Sequence, residues 1–238
     1  MRESHQPQTS PLPPRHIFAN LPDYVAGTPA PQVAGLTQYK LSYNENPLGT
    51  VPKVAEILST FDAVHRYPDP LSTKLREALA KRFNLDAENI VTGAGSLGAL
   101  NQILKAFAGV DADGVQDEVI YAWRSFEAYP ILVGLLGAKS VQIPNLPNGA
   151  HDLSAMAQAV TDRTRVILVC TPNNPTGPAV TEAQMREFLT KIPENVVVVI
   201  DEAYYEFCTA STVPAGQNAP VNGLNLLKDC PVYTSPSP

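Results

Sequence analysis

The stretch Val196-Val197-Val198-Val199-Ile200-Asp201-Glu202-Ala203-Tyr204 decides the fold. Five apolar, β-branched residues in succession leave no polar face. Such a run reads as a strand buried on both sides, the habit of parallel sheets. Asp201 closes the run with a carboxylate that is costly to bury without a cation or strong donors. Upstream, the apolar run 165–170 leads into Cys170-Thr171-Pro172-Asn173-Asn174-Pro175-Thr176-Gly177, where prolines brace two asparagines from both sides. Taken singly, this loop is an Asx turn and Asp201 is a helix N-cap. Ligands on parallel sheets bind beyond the carboxyl ends of the strands, so both segments sit where chemistry is to be sought.

Working outward, further strands are expected at 90–92, 118–122, 139–143 and near 231–233. Helices are expected at 53–61, 69–83, 96–107, 126–136, 153–160, 181–191 and 224–228. Leu71, Leu75, Leu79 and Phe83 recur at i,i+4 and share one helix face. Asp152 or Ser154 caps one helix and Thr181 another. Strands alternating with helices mean βαβ units and a mainly parallel sheet, an α/β fold.

The chain has 238 residues, 44% of them hydrophobic and 17% charged, which allows a buried core. A net charge of −6 argues against a nucleic-acid partner. The apolar stretches are far shorter than the roughly 18 residues that cross a bilayer. The polar, proline-rich start lacks the apolar core of a signal peptide, so a cytoplasmic protein with no membrane partner is expected. Cys170, Cys208 and Cys230 are widely spaced and odd in number, which suggests neither a metal site nor a disulfide framework. Pro7, Pro11, Pro13, Pro14, Pro22, Pro29 and Pro31 crowd the start. Residues 1–38 therefore read as a flexible arm, and 39–238 as the sheet domain.

Thr92-Gly93-Ala94-Gly95-Ser96-Leu97-Gly98 runs from a strand into a helix and has the form GxGxxG. Its glycines allow a tight turn, the helix start offers free N–H groups to a phosphate, and Ser96 adds a hydroxyl. A turn without a ligand is the plainer reading. A dinucleotide site needs an acidic residue about 20 positions on, at the end of the next strand. That strand ends at Trp123-Arg124, and Glu127 lies within the following helix. A Rossmann-type NAD(P) oxidoreductase is thus a distant alternative.

The order and spacing of Asn173-Asn174-Pro175-Thr176-Gly177 and Asp201-Glu202-Ala203-Tyr204 resemble the pyridoxal-phosphate aminotransferases of fold type I, class I/II. Leu41-Ser42-Tyr43-Asn44-Glu45-Asn46-Pro47, Arg66-Tyr67-Pro68-Asp69 and the glycine loop are similar to the histidinol-phosphate aminotransferase group. Trp123-Arg124-Ser125-Phe126-Glu127-Ala128-Tyr129-Pro130 looks most like the aromatic amino acid (phenylalanine) members of that group. The resemblance covers about residues 20 to 233.

It implies a pyridoxal 5′-phosphate cofactor whose phosphate rests on Gly95, Ser96 and Leu97. Phe126 would stack on the pyridine ring, and Asn174 and Tyr204 would bond its phenolic oxygen. Asp201 would keep the ring nitrogen protonated, making the ring an electron sink. Tyr67 would reach the phosphate of a neighbouring subunit, which implies a homodimer. Tyr43 and Asn44 would border the substrate. The implied reaction exchanges an amino group between an aromatic amino acid and a 2-oxo acid, with histidinol phosphate as the alternative substrate.

The family also requires a lysine for its internal Schiff base, soon after the strand near 231–233. Here Thr234-Ser235-Pro236-Ser237-Pro238 follows instead, and Lys228 precedes that strand. The resemblance therefore implies a truncated large domain. It would lack the lysine, any assigned catalytic residue, and the small C-terminal domain with its carboxylate-gripping arginine. Such a chain is expected to be inactive alone and to expose a strand edge that invites aggregation. A non-enzymatic reading makes it a fragment that binds the cofactor weakly or pairs with an intact subunit.

Overall fold

The computed structural model describes residues 16–22, 31–39, 44–46, 48–208, 219–227 and 232–236, the last of these by backbone. Two compact units divide the chain, one of residues 23–75 and one of the remainder.

In the smaller unit, α1 (Pro52–Thr60) starts on a proline, whose missing N–H is no loss in a first turn. None of its residues is buried. Helix α2 (Thr73–Phe83), most of which belongs to the larger unit, begins later than the apolar spacing predicts. Pro68 and Pro70 disfavour helix around Asp69. Asp69 also spends both oxygens on backbone, accepting from Leu71 N at 3.0 Å and Thr73 N at 2.7 Å.

The larger unit is built on five strands: β1 (Glu118–Trp123), β2 (Lys139–Pro144), β3 (Thr164–Cys170), β4 (Val197–Glu202) and β5 (Val232–Pro236). Their order is β2-β1-β3-β4-β5, and every neighbouring pair is parallel. Side chains alternate across a strand, so each strand feeds two cores. Val119, Tyr121, Val166, Leu168 and Val199 pack on one face with Leu100 and Leu104 of α3 (Gly95–Phe107) and Tyr129 and Val133 of α4 (Ala128–Leu135). Ile120, Ile167, Val169, Val198 and Ile200 pack on the other with Met156 of α5 (Leu153–Gln158) and Met185 and Phe188 of α6 (Glu182–Leu189). A sheet with helices on both faces explains why its strands read as near-continuous apolar runs.

Local chemistry sets the helix starts. Asp152, rather than Ser154, caps α5, its Oδ1 accepting from Ala155 N at 2.9 Å. Thr181 caps α6 in a reciprocal capping box with Gln184.

Three expectations are corrected. No strand forms at 90–92: a 3-10 turn (Ala87–Asn89) leads in, and Ile90, though extended, has no ladder partner among the described residues. A strand is a pairing as well as a conformation, and local sequence carries only the latter. The helix predicted at 224–228 is a 3-10 turn (Gly223–Asn225), with Lys228 outside the described residues. Strand β5 continues through Thr234 and Ser235 to Pro236, which sets Ser235 opposite Asp201 in the ladder.

Among the described residues, no helix is long and apolar enough to cross a membrane. No group of three or more His, Cys, Asp or Glu among them could hold a metal ion.

Candidate functional site

Strand order reverses between β1 and β3. From β1 the chain moves outward through α4 to β2, and from β3 it moves the other way through α6 to β4. Helix α4 and helix α6 lie on opposite faces, so a crevice opens between the carboxyl ends of β1 and β3. Phe126 follows β1, Asn174 follows β3, and Asp201 and Tyr204 stand at and just beyond the end of β4. The structure thus brings these four predicted residues to one edge of the sheet.

Asp201 shares the face of Val199, two residues back, and so points toward α4. There Tyr129 Oη donates to Asp201 Oδ2 at 2.7 Å. Among the described residues, Oδ1 accepts only a 3.2 Å bond from Ala203 N. Asp201 is 6% exposed and has no cationic partner among the described residues. Burial pushes its carboxyl above the ordinary range, while the Tyr129 and Ala203 bonds oppose that shift. Tyr129 is fully buried, and desolvation, with the Asp201 charge beside it, holds its hydroxyl well above the usual phenol range. It therefore stays a donor. Its ring meets Phe126 edge-on at 5.6 Å and 85°. Phe126 sits in the turn before α4 and is half-buried.

The two asparagines divide their work. Asn173 is 3% exposed and fully engaged: its Oδ1 accepts from Ser125 Oγ at 2.7 Å, and its Nδ2 donates to Arg124 O at 2.9 Å and Thr176 Oγ1 at 2.6 Å. Thr176 Oγ1 in turn donates to Gly149 O at 2.7 Å. Asn173 is therefore a clamp that fixes the loop after β1 against the loop after β3. Asn174 is half-buried, and its side chain has no hydrogen bond among the described residues. It is the one left to meet a ligand.

The glycine loop opens α3. A Cβ on Gly93 would lie 2.6 Å from Ala99 N, so the loop can fold onto the helix only with glycine there. Gly95 takes φ +67°, the left-handed region that glycine enters freely. Ala94 occupies the N-cap without a side-chain bond, which leaves the first-turn N–H groups of Ser96 and Leu97 open to an anion. Ser96 is half-buried and Leu97 exposed.

Tyr67 belongs to the smaller unit and is fully exposed. Asn44 is exposed, and Tyr43 lies outside the described residues. Three described lysines of the larger unit stand away from this sheet edge. Lys139 opens β2 at the opposite end, where it donates to Glu118 at 2.8 Å. Lys105 lies in the last turn of α3, and Lys191 follows α6.

Residue reasoning did not single out Tyr129, Ser125, Asn173 or Thr176 for roles. Tyr129 had one signal, its i,i+3 spacing from Phe126 in an otherwise apolar helix. A phosphate at the α3 terminus, an aromatic ring on Phe126, a ring oxygen at Asn174 and a protonated ring nitrogen at Asp201 Oδ1 would each find a matching group. The residues present fit a phosphorylated pyridine.

Comparison with known proteins points to one family. The model of the family "Aminotransferase class I and II" matches residues 37–231. An aromatic amino acid aminotransferase of Streptomyces avermitilis is 48% identical over 203 residues, which are 85% of this chain and 55% of that protein. Another, of Thermobifida fusca, is 49% identical over 193 residues, 81% of this chain and 50% of that one. The solved histidinol-phosphate aminotransferase of Sinorhizobium meliloti, in complex with pyridoxal-5'-phosphate, is similar with a TM-score of 0.63 at 25% identity. That match covers 72% of this chain and 46% of the other. The chain thus spans about half the length of the curated relatives it matches.

Proposed function

We propose that this chain, which belongs to the class I and II aminotransferases, forms the cofactor-binding part of a pyridoxal-phosphate enzyme. That enzyme transfers the amino group of an aromatic amino acid to a 2-oxo acid. The observation that carries the proposal is the buried Asp201 carboxylate, held by Tyr129 at the crevice edge with no cation beside it among the described residues.

Each residue has a role in that reading. Asp201 Oδ1 holds the proton on the ring nitrogen, and Tyr129 fixes the carboxylate for it. Phe126 stacks on the ring and orients it. The first turn of α3, with Gly95, Ser96 and Leu97, holds the phosphate. Asn174 and Tyr204 bond the phenolic oxygen, and Tyr43 and Asn44 border the substrate. When bound, the protonated ring accepts the electron pair left as the substrate loses its α-proton. That proton needs an amine to carry it, and none of Lys105, Lys139 and Lys191 stands at this sheet edge. In this reading the chain alone holds the cofactor without turnover.

Two exposed features support a second copy as partner. Tyr67, the residue assigned to a neighbouring phosphate, is fully exposed. In the same small unit α1 leaves Ile57 and Leu58 exposed, with Phe61 just beyond, an apolar stripe of the kind that interfaces cover. Aromatic substrates are favoured over histidinol phosphate because the relatives named for aromatic substrates share 48 and 49% identity, against 25% for the histidinol-phosphate structure.

A chimera tests the reading, with the remaining C-terminal length of the Streptomyces avermitilis relative following residue 233. Amino transfer from phenylalanine to a 2-oxo acid is expected, with histidinol phosphate the poorer donor. Preference for histidinol phosphate would overturn the substrate, and no transfer from either would overturn the activity.

A further inference from the structure

His151 is buried in the loop that joins β2 to α5. Neither of its ring nitrogens has a hydrogen-bond partner among the described residues. The loop that carries it is tightly built. Leu146 N donates to Ala150 O, and Gly149 N to Leu146 O, both at 2.8 Å. Asn145 Nδ2 donates to Arg124 O at 2.7 Å, and Gly149 O receives the Thr176 hydroxyl. A Cβ on Gly149 would stand 3.0 Å from Thr176 Cβ, so the two loops touch there. The side chain of Asn173, which clamps the loops after β1 and β3 together, stands beside the imidazole.

Few charges surround this ring. The loop after β3, from Thr171 to Pro178, holds no ionisable side chain, and neither does α5. Asp152, next in the chain, spends Oδ1 on Ala155 N. Glu187 on α6 and Lys191 just after it line the cavity beside the ring and pair with one another at 2.7 Å. Arg124 and Glu127, after β1, are exposed. None of these groups bonds either ring nitrogen. A proton on His151 therefore puts a charge in a buried site with no carboxylate to bond it. The charged ring is also a donor at both nitrogens. The acceptor beside it is the Asn173 side chain, whose Oδ1 already accepts from Ser125 Oγ at 2.7 Å.

We propose that His151 is a pH-sensitive latch on the Asn173 clamp: when the ring takes a proton, the loop 145–151 parts from the loop 173–177 and the clamp opens. The open form gains the hydration that a charged imidazole needs. Burial lowers the His151 pKa in the closed form, and the Asn173 side chain opposes that shift. The closed form is therefore fully stable above the exposed ring's ordinary value near 6.5. It loses stability as pH falls from there to the lowered closed value. One proton changes the opening equilibrium by up to roughly tenfold per pH unit across that window. Asn174 rides on the opening loop, so in the reading given above the cofactor is held less firmly in acid. The latch itself concerns the chain without cofactor and does not rest on that reading.

The test is hydrogen exchange, read by mass spectrometry, in the whole chain without cofactor. It compares about pH 7.5 with about pH 5.5, each rate corrected for the intrinsic chemistry of exchange. Peptides covering 145–151 and 173–177 are expected to lose up to roughly tenfold in protection at the lower pH. The loop 111–115, which Arg163 ties down at the other end of the sheet, should keep its protection and so exclude general unfolding. His151→Phe keeps a buried ring without the titration and should hold both loops closed at both pH values. His151→Gln, polar and uncharged, is the second variant, and circular dichroism checks that each folds. Unchanged protection of both loops in the wild type at the lower pH would overturn the latch. The same acid loss in both variants would assign the titrating group elsewhere and overturn it too. Loss confined to 145–151 would leave the clamp shut and overturn it equally.

Discussion

Tyr129 donates to Asp201 across the sheet edge at 2.7 Å, and its ring meets Phe126 at 5.6 Å. One buried tyrosine thus connects the residue that would stack on the cofactor with the residue that would hold its ring nitrogen. Neither contact is local in sequence: 72 residues separate Tyr129 from Asp201.

Tyr129→Phe keeps the ring contact and removes the hydroxyl. A hydrogen bond to a charged group contributes about 1.5–3 kcal/mol, so affinity for pyridoxamine 5′-phosphate should fall by roughly 10-fold or more. Calorimetric titration checks this. An unchanged affinity would mean that Asp201 needs no positioning.

Asp201→Asn should separate stability from binding. Burial raises the carboxyl pKa, so the folded chain holds its proton more tightly than the unfolded chain does. Stability from that proton is full below the unfolded value near 3.9 and is lost as pH rises through the raised folded value. At neutral pH the wild-type chain carries this cost and the amide does not. Asp201→Asn should melt about 2–4 °C higher for each 1 kcal/mol relieved, while losing cofactor affinity. A lower melting temperature at pH 7 would contradict the assignment of Asp201 as a strained, unfilled site.

The adjacent asparagines should behave in opposite ways. Asn173→Ala leaves the buried Ser125 hydroxyl without its partner and removes the clamp's bonds to Arg124 O and Thr176, which keep Asn145 Nδ2 and Gly149 O; a buried orphan costs about 1–3 kcal/mol. It should destabilise the chain clearly in urea. Asn174→Ala should leave the urea midpoint unchanged and weaken cofactor binding. Equal effects on both measurements would refute the division.

Cys170 is 2% exposed, and burial, followed by the Asp201 charge, pushes its thiol up to about 12. The thiolate is the reactive form, so Cys170 should resist iodoacetamide at pH 8 while folded and react in urea. Peptide mass mapping reads both states. Rapid native labelling would show that the crevice floor is open.

Much of this was legible in the sequence. Val196 to Ile200 announced a strand buried on both faces, and the carboxylate after it marked the sheet edge. The loop after β3 and the carboxylate of β4 drew attention because parallel sheets put ligands beyond strand ends, whereas Phe126 after β1 was indicated only by the family resemblance. Other features depend on distant partners. Ile90 is extended as its β-branched neighbourhood suggests, yet no strand lies beside it among the described residues. Asn173 and Asn174 look alike until Ser125 and Arg124, some 48 residues away, engage one of them. Asp69 looks helical by spacing, but its side chain captures the backbone that a helix there would need.

The central claim is that the strand-edge residues of this chain form a cofactor cradle by themselves. Its most direct test is the fluorescence of Trp123, the only tryptophan, which ends β1 and packs in the same cluster as Phe126. Pyridoxamine 5′-phosphate is the ligand, because it does not react with surface lysines. The account predicts a saturable change at one molecule per chain, abolished by Asp201→Asn. No saturation, or the same saturation in Asp201→Asn, would contradict it.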